Sequence, residues 1–135
     1  MASFGKTSRQ RLVGVHPALV KILLDVVQIY DITIPPNGGS RTEEQQADLV
    51  ASGKSKTLNS KHLIQDDGYS HAVDVIPYPV DWDDSNRFFF MAGAIMMAAK
   101  RSGIKVKWGH DWDMDMDFDD QTFNDSPHFE LVTEE

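Results

Sequence analysis

Two histidines and two carboxylates, placed in the middle and near the end of the chain, are the residues whose types and spacing could do chemistry. His62 and Asp74 lie in the central part of the sequence, and Asp125 precedes His128 by three positions near the C-terminal end. A catalytic zinc ion needs three nitrogen or oxygen ligands and a vacant fourth position, because the vacancy admits the water that becomes the nucleophile. Two histidines and one carboxylate could hold such a metal, which leaves the other carboxylate to accept the proton of that water.

The composition limits both the metal chemistry and the partners. The chain has no cysteine, so a metal must be bound by histidine, aspartate and glutamate. Its 135 residues are the size of one ordinary domain, and we predict a single domain over residues 1–135. The formal net charge of -8 disfavours duplex nucleic acid as a partner, because that binding needs lysine and arginine to neutralise phosphates.

The apolar pattern indicates neither a leader segment nor a membrane span. Residues 1–10 include Lys6 and Arg9 but no apolar stretch. No apolar run approaches the roughly 20 residues that a spanning helix requires. We therefore expect no direct membrane insertion, and we expect the protein to stay in the cytoplasm where it is made until something else releases it.

Apolar periodicity and turn residues predict three helices and four short strands. The predicted helices are Pro17 to Tyr30, Thr42 to Gly53 with a Thr42 and Gln45 capping box, and Asp84 or Ser85 to Arg101. The predicted strands are Asp31 to Pro36, Ala72 to Pro77, Ile104 to Trp108 and His128 to Val132. This order indicates an α+β domain in which helices pack on one side of a small, mainly antiparallel sheet.

The alternation of side chains along a strand separates the candidate ligands. Asp74 and His71 fall on opposite faces of their predicted strand, so one metal is not expected to bind both. Glu130 falls on the same face as His128, and we predict that it orients this histidine or a neighbouring group. His16 and His110 are assigned no catalytic role.

Three motifs carry a resemblance to a known family. They are Ser60-Lys61-His62, Ala72-Val73-Asp74 and Asp125-x-x-His128. In this order they resemble zinc peptidases that cleave peptidoglycan stem peptides, namely D-alanyl-D-alanine carboxypeptidases and phage L-alanyl-D-glutamate endolysins. Shorter segments along most of the chain are similar to the phage branch: Phe4-Gly5-Lys6, Ser40-Arg41-Thr42, Trp108-Gly109 and the final His128-Phe129-Glu130-Leu131.

The resemblance implies a role for each matching residue. His62, Asp74 and His128 would bind zinc, Asp125 would be the general base, and Arg41 would contact a substrate carboxylate or the developing oxyanion. We also expect Ser60 to hydrogen-bond the substrate or an oxygen on the metal. Taken singly, His62 could be a solvated histidine, Asp125 a turn residue and Arg41 a surface ion-pair partner. The complete set in family order favours the catalytic interpretation.

The chain departs from the family pattern between His62 and Asp74. The spacer is longer than in the compact form of the motif, and Ser70 stands where glycine is usual. The insertion, around Gln65 to Tyr69, either forms an extra surface turn or means that another histidine partners Asp74.

Alternating acids between Asp111 and Asp120 form a second candidate site. Asp111, Asp113 and Asp115 match the first, third and fifth positions of a calcium-binding loop, and Asp117 continues the alternation. Met116 occupies the place of the required glycine. The segment is therefore either a solvated acidic loop or a calcium site, because many carboxylates repel one another without a cation.

The resemblance, together with these residues, implies a zinc-dependent phage endolysin that cuts the L-alanyl-D-glutamate bond of peptidoglycan stem peptides for host lysis. We expect a monomer that waits in the host cytoplasm until a holin-type permeabiliser gives access to the wall. A D-alanyl-D-alanine carboxypeptidase is the alternative with the same site. A calcium-dependent binding module without catalysis is the alternative of another class.

Overall fold

The computed structural model describes residues 3–111, 114 and 125–132, and within them it has the expected α+β architecture. The four helices in these ranges are α1 (Lys6–Arg11), α2 (Pro17–Val27), α3 (Glu43–Ala51) and α4 (Ser85–Arg101). The strands are β1 (Ile32–Thr33), β2 (Ala72–Asp74), β3 (Ile76–Pro77), β4 (Val106–Trp108) and β5 (His128–Leu131). No helix of the described part is long and apolar enough to cross a membrane.

The strands form two small sheets, whereas the sequence predicted one; the pairing is antiparallel, as predicted. One sheet has the order β2-β5-β4, and the other pairs β1 with β3. In the first sheet Asp74 lies directly opposite His128, and Val73 lies opposite Phe129. Directly opposed residues project to the same face of an antiparallel pair. The register therefore sets a carboxylate beside an imidazole that is distant from it in the chain.

Two helices supply most of the apolar core. The buried residues of α2 recur at helical spacing: Leu19, Ile22, Leu23, Val26 and Val27. This face packs against α4, which also contacts β3 and β4. Phe129, which has no exposed surface, stacks on Trp108 in the neighbouring strand. The core thus fixes the strands that carry Asp74 and His128.

Helix starts agree with the sequence better than some ends do. Thr42 and Gln45 form the predicted capping box, and Asp84 caps α4. Helix α2 ends at Val27, although apolar spacing predicted continuation to Tyr30. Helix α1 was not predicted, because its six residues are polar and only Ser8 among them is buried. Without an apolar stripe, such a segment gives no periodic signal.

The strand predicted from Ala72 to Pro77 is interrupted at Val75. Its first half, β2, pairs with β5, whereas its second half, β3, pairs with β1 in the other sheet. Between them the amide of Val75 donates to the carbonyl of Pro127 at 2.8 Å. This bond holds Val75 against the segment before His128. One apolar run therefore contributes a strand to each of the two sheets.

The insertion after His62 forms an extra surface turn. Ile64 and Ser70 make an antiparallel bridge, and the amide of Gln65 donates to the carbonyl of Tyr69 at 2.9 Å. Gly68, at a φ of 89°, closes the turn in a conformation that favours glycine. The longer spacer is therefore accommodated at the surface, outside the sheet.

A close backbone approach at Gly109 connects the end of β4 with the start of β5. The amide of Gly109 donates to the carbonyl of His128, and the amide of Asp125 donates to the carbonyl of Gly109, both at 2.7 Å. A Cβ atom at Gly109 would collide with the carbonyl oxygen of Asp125. Only glycine therefore allows this pair of hydrogen bonds.

We predict that Gly109→Ala lowers the free energy of unfolding by about 1–3 kcal/mol, because the added methyl group must push the backbone of Asp125 away. Gly93→Ala is the matched control, since a Cβ at this position in α4 meets nothing within 4 Å. Alanine favours a helix interior, so the control should stabilise the protein by roughly 0.5–1 kcal/mol. Urea unfolding of both variants tests the pair, and an equal effect of the two substitutions would contradict the steric argument.

Candidate metal centre

Three side chains from separate parts of the sequence meet at one end of the larger sheet. His62 comes from the loop after α3, Asp74 from the end of β2, and His128 from the start of β5. One ligand atom from each lies within 4.8 Å of the others. Both histidines are buried, and Asp74 is partly buried. This group could hold a metal ion.

Each histidine of this group turns one ring nitrogen toward Asp74. Nε2 of His62 lies 3.2 Å from Asp74 Oδ1, and Nδ1 of His128 lies 3.3 Å from the same oxygen. The outer nitrogens donate to protein oxygens: His62 Nδ1 to the carbonyl of Gly39 at 2.8 Å, and His128 Nε2 to Glu130 at 2.7 Å. Such outer hydrogen bonds fix the tautomer of metal-binding histidines. In the neutral form of each ring, the inner nitrogen has a lone pair for a metal.

The carbonyl that fixes His62 depends on a second glycine. A Cβ atom at Gly39 would overlap the carbonyl oxygen of Arg11. The turn that precedes Gly39 passes through Asn37 at a φ of 61°. Asparagine is among the few side chains that tolerate this left-handed conformation. The Asn-Gly-Gly sequence is thus needed to bring the Gly39 carbonyl to the ring of His62.

The charges of the group favour a cation at its centre. Burial works against ionisation of Asp74, but hydrogen bonds from His128 and His62 outweigh it and hold the pKa of Asp74 well below its usual range. Burial also works against charging of His128, yet the bonds to Asp74 and Glu130 raise the pKa of His128 to about 9. In the metal-free protein a proton on His128 therefore balances the acids. A divalent cation could take the place of that proton.

Asp125 lies on the wall of the same cleft, outside the trio of possible ligands. The cleft has a volume of about 540 Å³ and is also lined by Arg41, Ser60, Glu130 and the three ligands. Burial and the neighbouring charge of Asp74 both raise the pKa of Asp125. A carboxyl group with a raised pKa accepts a proton more readily near neutral pH than an ordinary aspartate does.

Arg41 is mostly buried and tied to the metal group. Its side chain is 11% exposed and makes an ion pair with Asp74 at 3.4 Å. Its Nε also donates to the carbonyl of Asn37 at 2.7 Å, and Nη1 donates to Gln46 at 2.9 Å. Burial lowers the pKa of Arg41, whereas the charges of Asp74 and Asp125 raise it. Arg41 is therefore a fixed cation of the cleft and not a surface ion-pair partner.

Two further predicted site residues have defined contacts. The Oγ atom of Ser60 accepts a hydrogen bond from the amide of His62 at 3.1 Å, which shapes the loop that delivers this histidine. Glu130 makes the bond to His128 described above, and the hydrogen bond from His128 lowers the pKa of Glu130 against the effect of burial. Both residues line the cleft.

Gln46 is a residue of the cleft surroundings that sequence reasoning missed. It is 1% exposed and is the buried residue of α3. Its amide oxygen accepts from Arg41, and its amide nitrogen donates to Ser55 Oγ at 2.8 Å and to the carbonyl of Thr57 at 2.7 Å. A polar residue on a polar helix gives no periodic signal, so the sequence did not distinguish it from Gln45.

A second trio, formed by His16, Asp67 and His71, also places possible metal ligands together. His71 Nε2 lies 2.8 Å from Asp67, and His16 Nε2 lies 3.7 Å from it. His16 Nδ1, however, accepts a hydrogen bond from the amide of Ala18 at the start of α2. That bond leaves the proton of neutral His16 on Nε2. The trio therefore fits a contact between the inserted turn and the start of α2, in which the hydrogen bond joins His71 to Asp67.

The predicted calcium site lies almost entirely outside the described residues. Asp111 is described and is buried. Asp113, Asp115 and Asp117 lie outside the described ranges. Calcium binding by these four residues stays a prediction.

Comparisons with known proteins agree with this geometry. Residues 1–132 match the family model described as phage L-alanyl-D-glutamate peptidase. The chain is 35% identical over 140 residues to the L-alanyl-D-glutamate peptidase of Escherichia phage T5, with 96% of this chain and 97% of that relative covered. The crystal structure of the Serratia marcescens L-Ala D-Glu endopeptidase ChiX is also similar. It matches with a TM-score of 0.74 and 32% identity, over 94% of this chain and 87% of that one.

The family model and the T5 relative each cover nearly the whole chain, including the segments that bring His62, Asp74 and His128 together. The chain belongs to the phage L-alanyl-D-glutamate peptidase family.

Proposed function

We propose that this protein is a zinc-dependent endopeptidase of peptidoglycan stem peptides, a phage endolysin that cuts the L-alanyl-D-glutamate bond. The observation that supports this most directly is the single cleft in which His62, Asp74 and His128 lie beside Asp125 and Arg41. Two imidazoles and one carboxylate form a donor set typical of catalytic zinc. Family membership supports the choice of bond.

In this proposal His62 Nε2, His128 Nδ1 and an oxygen of Asp74 would hold zinc. When bound, zinc would polarise the scissile carbonyl and lower the pKa of water, so that a nucleophile is available near neutral pH. Gly39 and Glu130 keep the two rings in the required tautomer through their hydrogen bonds.

Asp125 would act as the general base. Its carboxylate takes a proton from the attacking water and passes it to the nitrogen of the leaving D-glutamate, so that the amine departs uncharged. Burial and the charge of Asp74 raise the pKa of Asp125, which makes its carboxylate the more basic acceptor. The backbone bonds to Gly109 and His128 fix its position.

Arg41 and Ser60 would bind the substrate. Three of the five N–H groups of Arg41 donate to Asn37, Gln46 and Asp74 within the described residues. The other two suit a substrate carboxylate or the oxyanion of the transition state. The hydroxyl hydrogen of Ser60 is suited to the substrate, since its oxygen accepts from the amide of His62.

The remaining partner expectations stay predictions of the proposal. They are a monomer, residence in the host cytoplasm until lysis, and a holin-type permeabiliser that gives access to the wall.

Purified protein added to outer-membrane-permeabilised cells should reduce turbidity, and a chelator should abolish the effect. Cleavage of purified stem peptides should separate L-alanine from D-glutamate. Release of free D-alanine instead would indicate the carboxypeptidase, and a folded protein without hydrolysis would indicate a binding module.

We predict that Asp125→Asn and His128→Ala both abolish hydrolysis but differ in metal content. Loss of a general base should reduce the rate by roughly 100- to 10,000-fold while zinc remains bound. Loss of His128 should remove both zinc and activity, because one ligand is missing. Stem-peptide cleavage followed by mass spectrometry, with zinc measured by elemental analysis, tests both variants. His71→Ala is the matched control and should retain zinc and activity, since His71 belongs to the other trio.

Zinc uptake should release about one proton near pH 7, because His128 in the metal-free protein has a pKa of about 9 and must lose a proton to become a ligand. The apparent zinc affinity should therefore rise with pH and level off above about pH 9. Calorimetry in buffers of different ionisation enthalpy, with a competing chelator, measures the protons released. Proton uptake, or an affinity that falls between pH 6 and 8, would contradict this charge balance.

Glu130→Gln should weaken zinc binding roughly 10- to 100-fold, because the outer nitrogen of His128 would lose its carboxylate partner. The substitution keeps the shape of the side chain, so the free energy of unfolding should change much less than the free energy of zinc binding. Competition with a chromophoric chelator measures the affinity. Unchanged affinity would show that Glu130 does not support the ligand.

A further inference from the structure

Three lysines line part of the cleft. Lys54, Lys56 and Lys61 are exposed and border the cleft that contains the metal group. They lie within eight consecutive residues of an acidic protein whose net charge is -8. At physiological ionic strength a charge is screened beyond roughly 8 Å. An anion bound beside the lysines would therefore feel their positive charge more strongly than the negative charge of acids elsewhere on the protein.

The loop that carries these lysines is fixed by hydrogen bonds. Gln46 donates to Ser55 and to Thr57, the residues on either side of Lys56. The amide of Lys54 donates to the carbonyl of Leu49 at 2.8 Å. The same Gln46 side chain accepts from Arg41. One buried amide thus holds both the loop that carries the lysines and the arginine of the cleft.

The proposed substrate has a matching anion close to the reaction. A glutamate that follows the scissile bond has two carboxyl groups, and only one of them can continue the peptide chain. The other is a free carboxylate within a few bonds of the scissile nitrogen. In the cleft this carboxylate would meet the negative charges of Asp74, Asp125 and Glu130. A cation beside it would be needed to offset their repulsion.

We propose that Lys54, Lys56 and Lys61 bind the free carboxylate of this glutamate, and that they make the enzyme selective for stem peptides whose glutamate is ionised over those whose glutamate is amidated. The inference rests on the proposed function. Three donors of Arg41 are held by the protein, and with the other two assigned to the oxyanion of the transition state, the carboxylate is left to the lysines. The lysines are exposed and have long side chains that can reach a carboxylate.

The test compares two synthetic stem peptides that differ only in the side group of the D-glutamate, a carboxylate in one and a carboxamide in the other. The wild-type holoenzyme should cut the carboxylate peptide with a kcat/KM roughly two- to fivefold higher, as expected for an exposed charge pair. The difference should shrink as salt is added, because the interaction is screened. Lys54→Met with Lys56→Met should reduce the ratio toward one, chiefly by raising KM for the carboxylate peptide.

Lys100→Met is the matched control, since it removes the same charge from an exposed position on α4 outside the cleft. It should retain the wild-type ratio. Equal cleavage of the two peptides by the wild-type enzyme, or an unchanged ratio in the double lysine variant, would overturn this inference and leave the proposed function standing. Cleavage of neither peptide would overturn the proposed function and this inference with it.

Discussion

Asp74 lies opposite His128 in the antiparallel pairing of β2 with β5, and the centre of the molecule depends on this pairing. The register is held by the buried neighbours Val73 and Phe129, whose side chains enter the core on the other face of the sheet. A slip by one residue would turn every side chain of the strand to the wrong face. Core packing therefore determines that a carboxylate and an imidazole share one face at the mouth of the cleft.

A partly buried carboxylate between two imidazoles must be balanced by positive charge. Arg41 and protonated His128 supply it in the metal-free protein. Burial lowers the pKa of Arg41, whereas for His128 the hydrogen bonds to Asp74 and Glu130 outweigh burial and raise the pKa. The same group could instead accept a divalent cation, with Arg41 still in place. The site therefore has a defined shape before a metal binds, because its hydrogen bonds and ion pairs do not require one. Preformed ligands of this kind reduce the reorganisation that metal binding demands.

The two sides of the cleft are built by different means. The side with the candidate metal ligands is formed by the strands of Asp74 and His128 and by the loop of His62, with Gly39 and Gly109 allowing backbones to approach closely. The opposite side is a polar loop that has little core of its own and is held through Gln46. Rigid strands suit the candidate ligands, whose distances must be right to a fraction of an ångström, whereas a loop with lysine side chains suits contacts with a substrate. The stable sheet thus holds the residues proposed for the chemistry, and the polar loop holds the residues proposed to recognise the substrate.

Local signals in the sequence predicted much of the fold and the composition of the candidate site. Apolar spacing located α2 and α4, and the capping box located the start of α3 just after Arg41. These features depend on neighbouring residues, so they can be read along the chain. The order of the motifs also identified one candidate set, formed by His62, Asp74, Asp125 and His128. It could not give the distances between these side chains.

Tertiary structure decided what depends on contacts between distant segments. The break at Val75, the outward turn of the insertion and the role of Gln46 each follow from hydrogen bonds to partners that are far away in sequence or hidden in a polar stretch. The sequence by itself determined the residue types, the helices and the strands. Only the folded chain decided which ring nitrogen faces Asp74 and which cations border the cleft, because those properties arise from packing and not from local propensity.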